Sequence, residues 1–237
     1  MTTPRQAEDG LSTSGRLLPM GTLRSCVIVS VGLLSVGLVL PVLLEPTPRS
    51  NSRRVLNGVA FESSDGAPAW WATVLLLLVA ILAFLVGRRC LEAGFRRYAL
   101  RWRVLAAVFV WTSFDHATQV HVEVSRLVSE LTGLPGGVQP LTILLGGVAA
   151  WAWLPLLVHA PTGWRTTAVL ALLLLLGGGW GVDVVRELLG GVPAVWTGAL
   201  EAGLTWTGLL LLVGLLDGAP VPGAGEKPSD RAAPCRG

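Results

Sequence analysis

The sequence has little charge: only 14% of its 237 residues are Asp, Glu, Lys or Arg, against roughly 25% in an ordinary soluble domain. A soluble fold of this size could not cover its surface with so few polar groups. With 52% hydrophobic residues, the chain is also too apolar for a disordered protein. The scarcity of charge therefore indicates an integral membrane protein.

Lysine and cysteine are scarce as well. The net charge is only +3, and the 18 basic residues include a single lysine, Lys227. These residues lie between apolar runs and form no basic groove, so we expect no nucleic-acid partner. The three cysteines share no metal-ligand spacing, which gives no sign of a zinc site or a disulfide. We assign no cofactor-binding residues.

Long apolar runs are what the sequence has in abundance. A helix needs about 20 residues to cross the hydrocarbon core of a bilayer, which is about 30 Å thick. We predict an all-α integral membrane bundle of six transmembrane helices. The predicted spans are about 26–44, 70–87, 103–125, 138–160, 166–182 and 194–216. Residues 1–23 and 218–237 are predicted to be flexible cytoplasmic tails, which leaves 24–217 as the transmembrane domain.

The distribution of arginine predicts the orientation. The segment 88–103 holds six arginines and one acidic residue, and short cytoplasmic loops collect Lys and Arg. With 103–125 counted as a span, 13 of the 18 basic residues fall on the cytoplasmic side, and without it 11 do. The charge rule therefore favours six spans in a bacterial cytoplasmic membrane with both termini inside. The polar second half of 103–125 leaves open whether that segment crosses completely.

The third predicted span carries the most informative residues. An ionisable group at the centre of a membrane helix costs about 2.5–3.5 kcal/mol on insertion scales, so such groups usually face a protein interior or a water-filled cavity. Sequence position places Asp115 near the middle of the membrane and Glu201 about two turns in from its outer surface. We therefore predict an outward-facing polar pocket, with the candidate residues Ser113, Asp115, His116, His121, Glu123 and Glu201.

Helical geometry limits which of these groups can cooperate. On an unbroken helix with about 100° per residue, Asp115 and His121 project about 120° apart. One face of such a helix cannot present both side chains to a small ligand. We expect neighbouring helices to complete the site, with Glu201 and Glu187 as candidate contributors.

Two short motifs resemble those of small bacterial multi-pass membrane proteins of unknown function. The first reads S-x-D-E-x-x-x-x-H-E in that family, and Ser113, Asp115 and His121 match it, while His116 and Val122 replace the two glutamates. The second, E-E-x-L-E-M-x-G, is matched by Glu201, Leu204 and Gly208, while Ala202 and Thr205 replace acids. The resemblance covers about residues 102–216 and implies a six-helix bundle of that type, with no activity to carry over.

Three functions stay open, and no catalytic residue is assigned. Asp115, His121 and Glu201 are a candidate ligand set for a divalent metal, which would suit a metal-dependent, hydrolase-like intramembrane enzyme. Asp115 beside His116 would suit a proton-coupled transporter, although the chain shows no inverted repeat. The third function is a binding, assembly or sensing subunit, whose partners would be the lipid bilayer and a membrane-protein partner or a second copy of the chain. We favour this third interpretation.

Overall fold

The computed structural model describes residues 16–19, 21–43, 66–132, 140–178, 182 and 194–219. Within these ranges the protein has seven α-helices and no strand, which confirms the all-α prediction. The helices are α1 (Thr22–Leu43), α2 (Ala67–Glu92), α3 (Arg96–Thr118), α4 (Val120–Thr132), α5 (Pro140–His159), α6 (Thr162–Leu176) and α7 (Ala194–Asp217). Most of the two predicted tails lies outside the described residues.

Three of the described helices are long and apolar enough to cross a membrane. They cover Thr22–Leu40 in α1, Ala67–Glu92 in α2 and Trp196–Asp217 in α7. The apolar parts of α5 and α6 are shorter, at Ile143–His159 and Thr162–Leu176. Large apolar side chains lie exposed along the outside of these helices, where lipid is the solvent that suits them. The chain is therefore a helical protein with the features of a multi-pass membrane protein.

A tight turn folds α3 back along α2. Gly94, at φ 87°, follows the end of α2, and its left-handed backbone is a conformation that favours glycine. The N–H of Phe95 donates to the carbonyl of Cys90 at 2.8 Å, and the N–H of Gly94 donates to that of Leu91 at 3.0 Å. This is the Schellman arrangement that commonly ends a helix. The turn makes α2 and α3 an antiparallel hairpin, the most extensive helix pair in the described fold.

The core lies along α2, which packs against both α3 and α7. Fully buried residues from α2 and α7 form its centre, and they include Leu75, Leu82, Trp206, Leu209 and Leu212. Helix α7 packs on α1, α2 and α6, whereas α3 packs on α2, α4 and α5. Helix α2 therefore separates α7 from α3 in the described part of the chain.

One end of the bundle collects most of the described arginines, and we call it the arginine end. It is defined by Arg88 and Arg89 at the end of α2 and by Arg96 and Arg97 at the start of α3. Three tryptophan rings join α5 and α6 to α3 there. The ring centroid of Trp102 lies 5.8 Å from that of Trp153 and 6.3 Å from that of Trp164. The centroids of Trp153 and Trp164 are 5.9 Å apart. The end of α5 and the start of α6 are thereby held at the arginine end.

The first and last described helices meet the same end. The N–H of Leu18, just before α1, donates to a carboxylate oxygen of Asp217 at 2.7 Å. Ala219, just after α7, lines a cavity of about 260 Å³ together with Tyr98, His159 and Trp164. Helices α1, α3 and α6 therefore begin at the arginine end, and α2, α5 and α7 finish there.

Candidate functional site

The third predicted span is not one helix in the structure. It is interrupted at Gln119, which adopts a left-handed backbone with φ 57° and ψ 28° between α3 and α4. The N–H of Gln119 donates to the carbonyl of Asp115 at 2.7 Å, and the carbonyl of Gln119 accepts from Val122 at 3.0 Å. Its side-chain amide donates to the carbonyl of His116 at 3.3 Å. The expectation of a continuous helix over 103–125 was wrong at this residue.

The interruption brings Asp115 and His121 together. One carboxylate oxygen of Asp115 accepts from the backbone N–H of His121 at 2.8 Å. The other oxygen lies 2.8 Å from the ring Nδ1 of His121. The sequence argument that separated the two side chains by about 120° was wrong, because it assumed an unbroken helix. We call this arrangement the Asp115–His121 pair.

Asp115 also provides a hydrogen-bond acceptor for a backbone N–H in the first turn of α4. The first N–H groups of a helix have no partner within the helix, and the Asp115 carboxylate accepts one of them at His121. A negative charge at that position also complements the positive end of the helix dipole. Asp115 therefore acts as a capping residue for α4 from the preceding helix.

The pair lies near one end of the bundle, away from its middle. The hydroxyl of Ser113 donates to the backbone carbonyl of Thr73 at 3.0 Å, across from α3 to α2. In this antiparallel register Asp115 is level with Trp71, in the first turns of α2. Asp115 therefore lies toward the end of the bundle opposite the arginine end.

Both members of the pair are partly open. The side chain of His121 is 25% exposed and that of Asp115 is 18% exposed. When a proton on Nδ1 is shared with Asp115, the other ring nitrogen, Nε2, is the one that can accept a proton or bind a ligand. The arrangement can therefore present an oriented imidazole to a group that arrives from outside the bundle.

The remaining candidates do not all join the pair. Ser113 is buried and used in the hydrogen bond to α2. His116 is half-buried on α3, next to Asp115, and Glu123 is exposed on α4. Glu201 is exposed on α7, and α7 does not pack on α3 or α4 in the described part of the chain. The structure therefore brings together Asp115 and His121, with Glu201 on a helix that does not touch theirs.

A metal ion needs more protein ligands than the Asp115–His121 pair supplies. Among the described residues, no group of three or more His, Cys, Asp or Glu side chains could hold a metal ion. The pair supplies one carboxylate and one imidazole, whereas closed protein metal sites usually have four ligands and catalytic ones three. Glu201 does not complete such a group within these ranges.

Two residues of this region were not recognised from the sequence as structural. Gln119 lies within the predicted span 103–125 and Thr73 within the predicted span 70–87, and neither residue type signals a structural role there. A polar cluster in the second half of a span is a signal for a helix end, but glutamine is not a residue that usually marks one. The role of Thr73 is carried by its backbone carbonyl, which leaves no trace in the residue type.

Comparison with known proteins identifies a family without a described activity. No curated protein and no solved structure matches the chain. The model of the family described as "Domain of unknown function (DUF8692)" matches residues 24–218. This range covers α1 from its third residue onward, the other six described helices in full and the Asp115–His121 pair. The chain belongs to the DUF8692 family.

Proposed function

We propose that this chain is a six-span binding, assembly or sensing subunit of a cytoplasmic membrane, with the Asp115–His121 pair as its outward-facing contact point. The observation that carries the proposal is the geometry of the pair. Asp115 uses both carboxylate oxygens on His121, at 2.8 Å each, and so fixes the ring across the junction of α3 and α4. A ligand or partner would meet a preformed polar group at the end of the bundle.

The directions of the helices support six crossings. Helices α1, α3 and α6 begin at the arginine end and α2, α5 and α7 finish there, so an even number of crossings returns the chain to its starting side. Short loops rich in arginine favour the cytoplasm. The arginine end is then cytoplasmic, and the Asp115–His121 pair faces outward.

The same geometry supports binding over hydrolysis. Ser113, the hydroxyl nearest in sequence to the pair, donates to the carbonyl of Thr73 at 3.0 Å, which makes it a link between helices. A nucleophile needs to lie within hydrogen-bond reach of its base. In the described part of the chain, no three His, Cys, Asp or Glu side chains form a group that could hold a metal ion, and a catalytic metal usually has three protein ligands.

The position of the Asp115–His121 pair along the bundle fits a proton-coupled transporter less well. A proton relay across a membrane usually has ionisable groups at membrane depth. Asp115 is level with Trp71, and tryptophan is typical of membrane boundaries. This position favours a role for the pair at a membrane surface.

The test is the oligomeric state and metal content of the full chain, purified from native membranes in a mild detergent. We expect a complex of fixed stoichiometry with a second polypeptide or a second copy, measured by light scattering coupled to gel filtration. Asp115→Ala and His121→Ala should dissociate it. Glu130→Ala is the matched control, because Glu130 is an exposed acid on α4 whose partner is Arg126 at 3.1 Å.

Two results would overturn the proposal. A wild-type chain that is a stable monomer without partner would contradict the assembly role. A stoichiometric transition metal in the wild type, lost in both Asp115→Ala and His121→Ala, would instead establish a metal site and favour the enzyme.

The topology needs a separate measurement. Alkaline phosphatase fused after Thr132 should be active, because that position is expected outside, while fusions after Pro161 and after Gly237 should be inactive. The reverse pattern, or activity at all three positions, would contradict six spans with both termini inside.

A further inference from the structure

A groove between α2 and α3 runs along the lipid-facing side of the bundle, and we call it the α2–α3 groove. Its volume is about 820 Å³. Buried Ala80 and Ala106 form its floor, while the exposed rings of Phe84 and Phe114 stand on its sides. Its other lining residues are Ile81, Arg103, Ala107, Val110 and Trp111. Small residues below and large rings beside them give the surface a channel-like shape.

Arg103 is the charged group in this lining. It lies at the end of the groove nearest the arginine end, and the Cγ of its side chain is 3.6 Å from the position of a Cβ on Gly87. Within the described ranges no carboxylate pairs with Arg103. Arg88 and Arg126, by contrast, each bond a glutamate four residues further along their own helices, at 2.8 Å and 3.1 Å. The guanidinium of Arg103 is therefore available to an external anion.

We propose that the α2–α3 groove binds one anionic phospholipid, with its phosphate on Arg103 and an acyl chain along the groove. The distance from Arg103 to Phe114 is about 16 Å along the helix axis, which gives room for a large part of an acyl chain. This inference concerns a surface other than the Asp115–His121 pair and does not depend on it.

Charge decides between a lipid and a protein helix as the occupant. An apolar helix packed in the groove would enclose the Arg103 guanidinium without a counterion, and a buried unpaired charge is costly. An anionic lipid supplies its own phosphate, which the planar guanidinium bonds well. Because Arg103 lies toward the arginine end, the lipid belongs to the leaflet on that side.

The experiment measures lipid retained by the purified full chain after exposure to vesicles of equal parts phosphatidylglycerol and phosphatidylcholine. Native mass spectrometry gives the ratio of the two adducts. We expect the wild type to favour phosphatidylglycerol. Arg103→Gln should lower that ratio about fivefold, equivalent to about 1 kcal/mol for a basic residue near an anionic surface. Arg97→Gln is the charge-matched control and should leave the ratio unchanged.

Two further variants separate charge from shape. Arg103→Lys keeps the charge and should retain a preference for phosphatidylglycerol. Ala107→Phe fills the groove at an exposed position and should reduce both adducts, whereas Ala150→Phe, at an exposed position on α5, should reduce neither.

Either of two outcomes overturns the proposal. Arg103→Gln with the wild-type ratio would show that the arginine does not bind the phosphate. Unchanged adducts in Ala107→Phe would show that lipid binds elsewhere. If Ala107→Phe instead dissociates a dimer while lipid retention is unchanged, the groove is an interface between copies of the chain.

Discussion

Asp115 accepts hydrogen bonds from both the backbone N–H and the ring nitrogen of His121. The two residues lie on either side of the break between α3 and α4. The carboxylate thus joins the end of α3 to the start of α4. Its two bonds depend on different parts of His121, so their contributions can be separated by mutation.

We expect Asp115→Ala to lower the free energy of unfolding by about 1–3 kcal/mol, because it leaves a partly buried N–H without an acceptor. His121→Ala removes the ring bond alone and should cost about 0.5–1.5 kcal/mol. The double variant should be no less stable than Asp115→Ala within about 0.5 kcal/mol, since the two residues share their interaction. Unfolding in mixed detergent micelles measures these values. Additive losses would show that the two side chains do not interact.

The left-handed backbone of Gln119 predicts opposite effects of two substitutions. That conformation costs a non-glycine residue about 1–2 kcal/mol. Gln119→Gly should therefore be neutral or stabilising by up to about 1 kcal/mol, although it loses the 3.3 Å bond to the carbonyl of His116. Gln119→Ile should be destabilising, since β-branched residues are poorly tolerated there. Thermal unfolding of both variants checks the order, and a glycine variant less stable than the isoleucine variant would argue for a continuous helix.

Close contact between α6 and α7 predicts a strong effect at Gly208. A Cβ at this residue would lie 2.8 Å from the carbonyl oxygen of Ala171, and a backbone atom cannot move aside cheaply. We expect Gly208→Ala to cost about 1–3 kcal/mol. Gly203, on the same helix, has nothing within 4 Å of its Cβ position. Gly203→Ala should be neutral or stabilising by up to about 1 kcal/mol. Equal effects at the two glycines would contradict this packing of α6 on α7.

A serine–tryptophan bond joins α1 to α2. The indole N–H of Trp71 donates to the hydroxyl of Ser30 at 2.8 Å, and that hydroxyl donates to the carbonyl of Cys26 at 2.9 Å. Ser30→Ala should cost about 0.6 kcal/mol and at most about 1.7, the range for hydrogen bonds between membrane helices. Ser35→Ala is the control, because Ser35 is exposed and, among the described residues, its hydroxyl bonds the carbonyl of Val31 in its own helix at 2.8 Å. The two variants should differ when unfolding is followed in the same detergent.

The helices were predictable from the sequence, and their contacts were only partly so. Apolar runs identified the positions of α1, α2 and α7 because hydropathy is a local property. The break at Gln119 could not be predicted by helical periodicity, which assigns every residue the same rotation. Gly146 with Ala150, and Gly177 with Gly181, have the four-residue spacing of small residues that favours close helix contacts. Yet nothing lies within 4 Å of a Cβ at Gly146 or Gly177. Gly178 and Gly208 make the close approaches, because the facing helix decides which glycine is needed.

The candidate site was predictable by residue type and not by geometry. Asp115 and His121 were singled out because charged groups are expensive in a membrane helix. Their partnership depends on one residue with an unusual backbone. The position of Glu201 depends on which helices pack together, and sequence position gave no information about that.

The tryptophan contacts at the arginine end have a mechanical consequence. Trp153 holds α5 against Trp102 and Trp164, and Pro155, two residues later, removes one hydrogen bond from the same helix. Helix α5 is therefore anchored at this cluster, next to a point where its backbone lacks one hydrogen bond. Ile143 is about 15 Å from Trp153 along the helix axis, in the half of α5 that approaches α4. A small rotation of α5 about Trp153 would move Ile143 further than it moves residues near Trp153. A displacement of α4 would therefore tilt α5 at its far end.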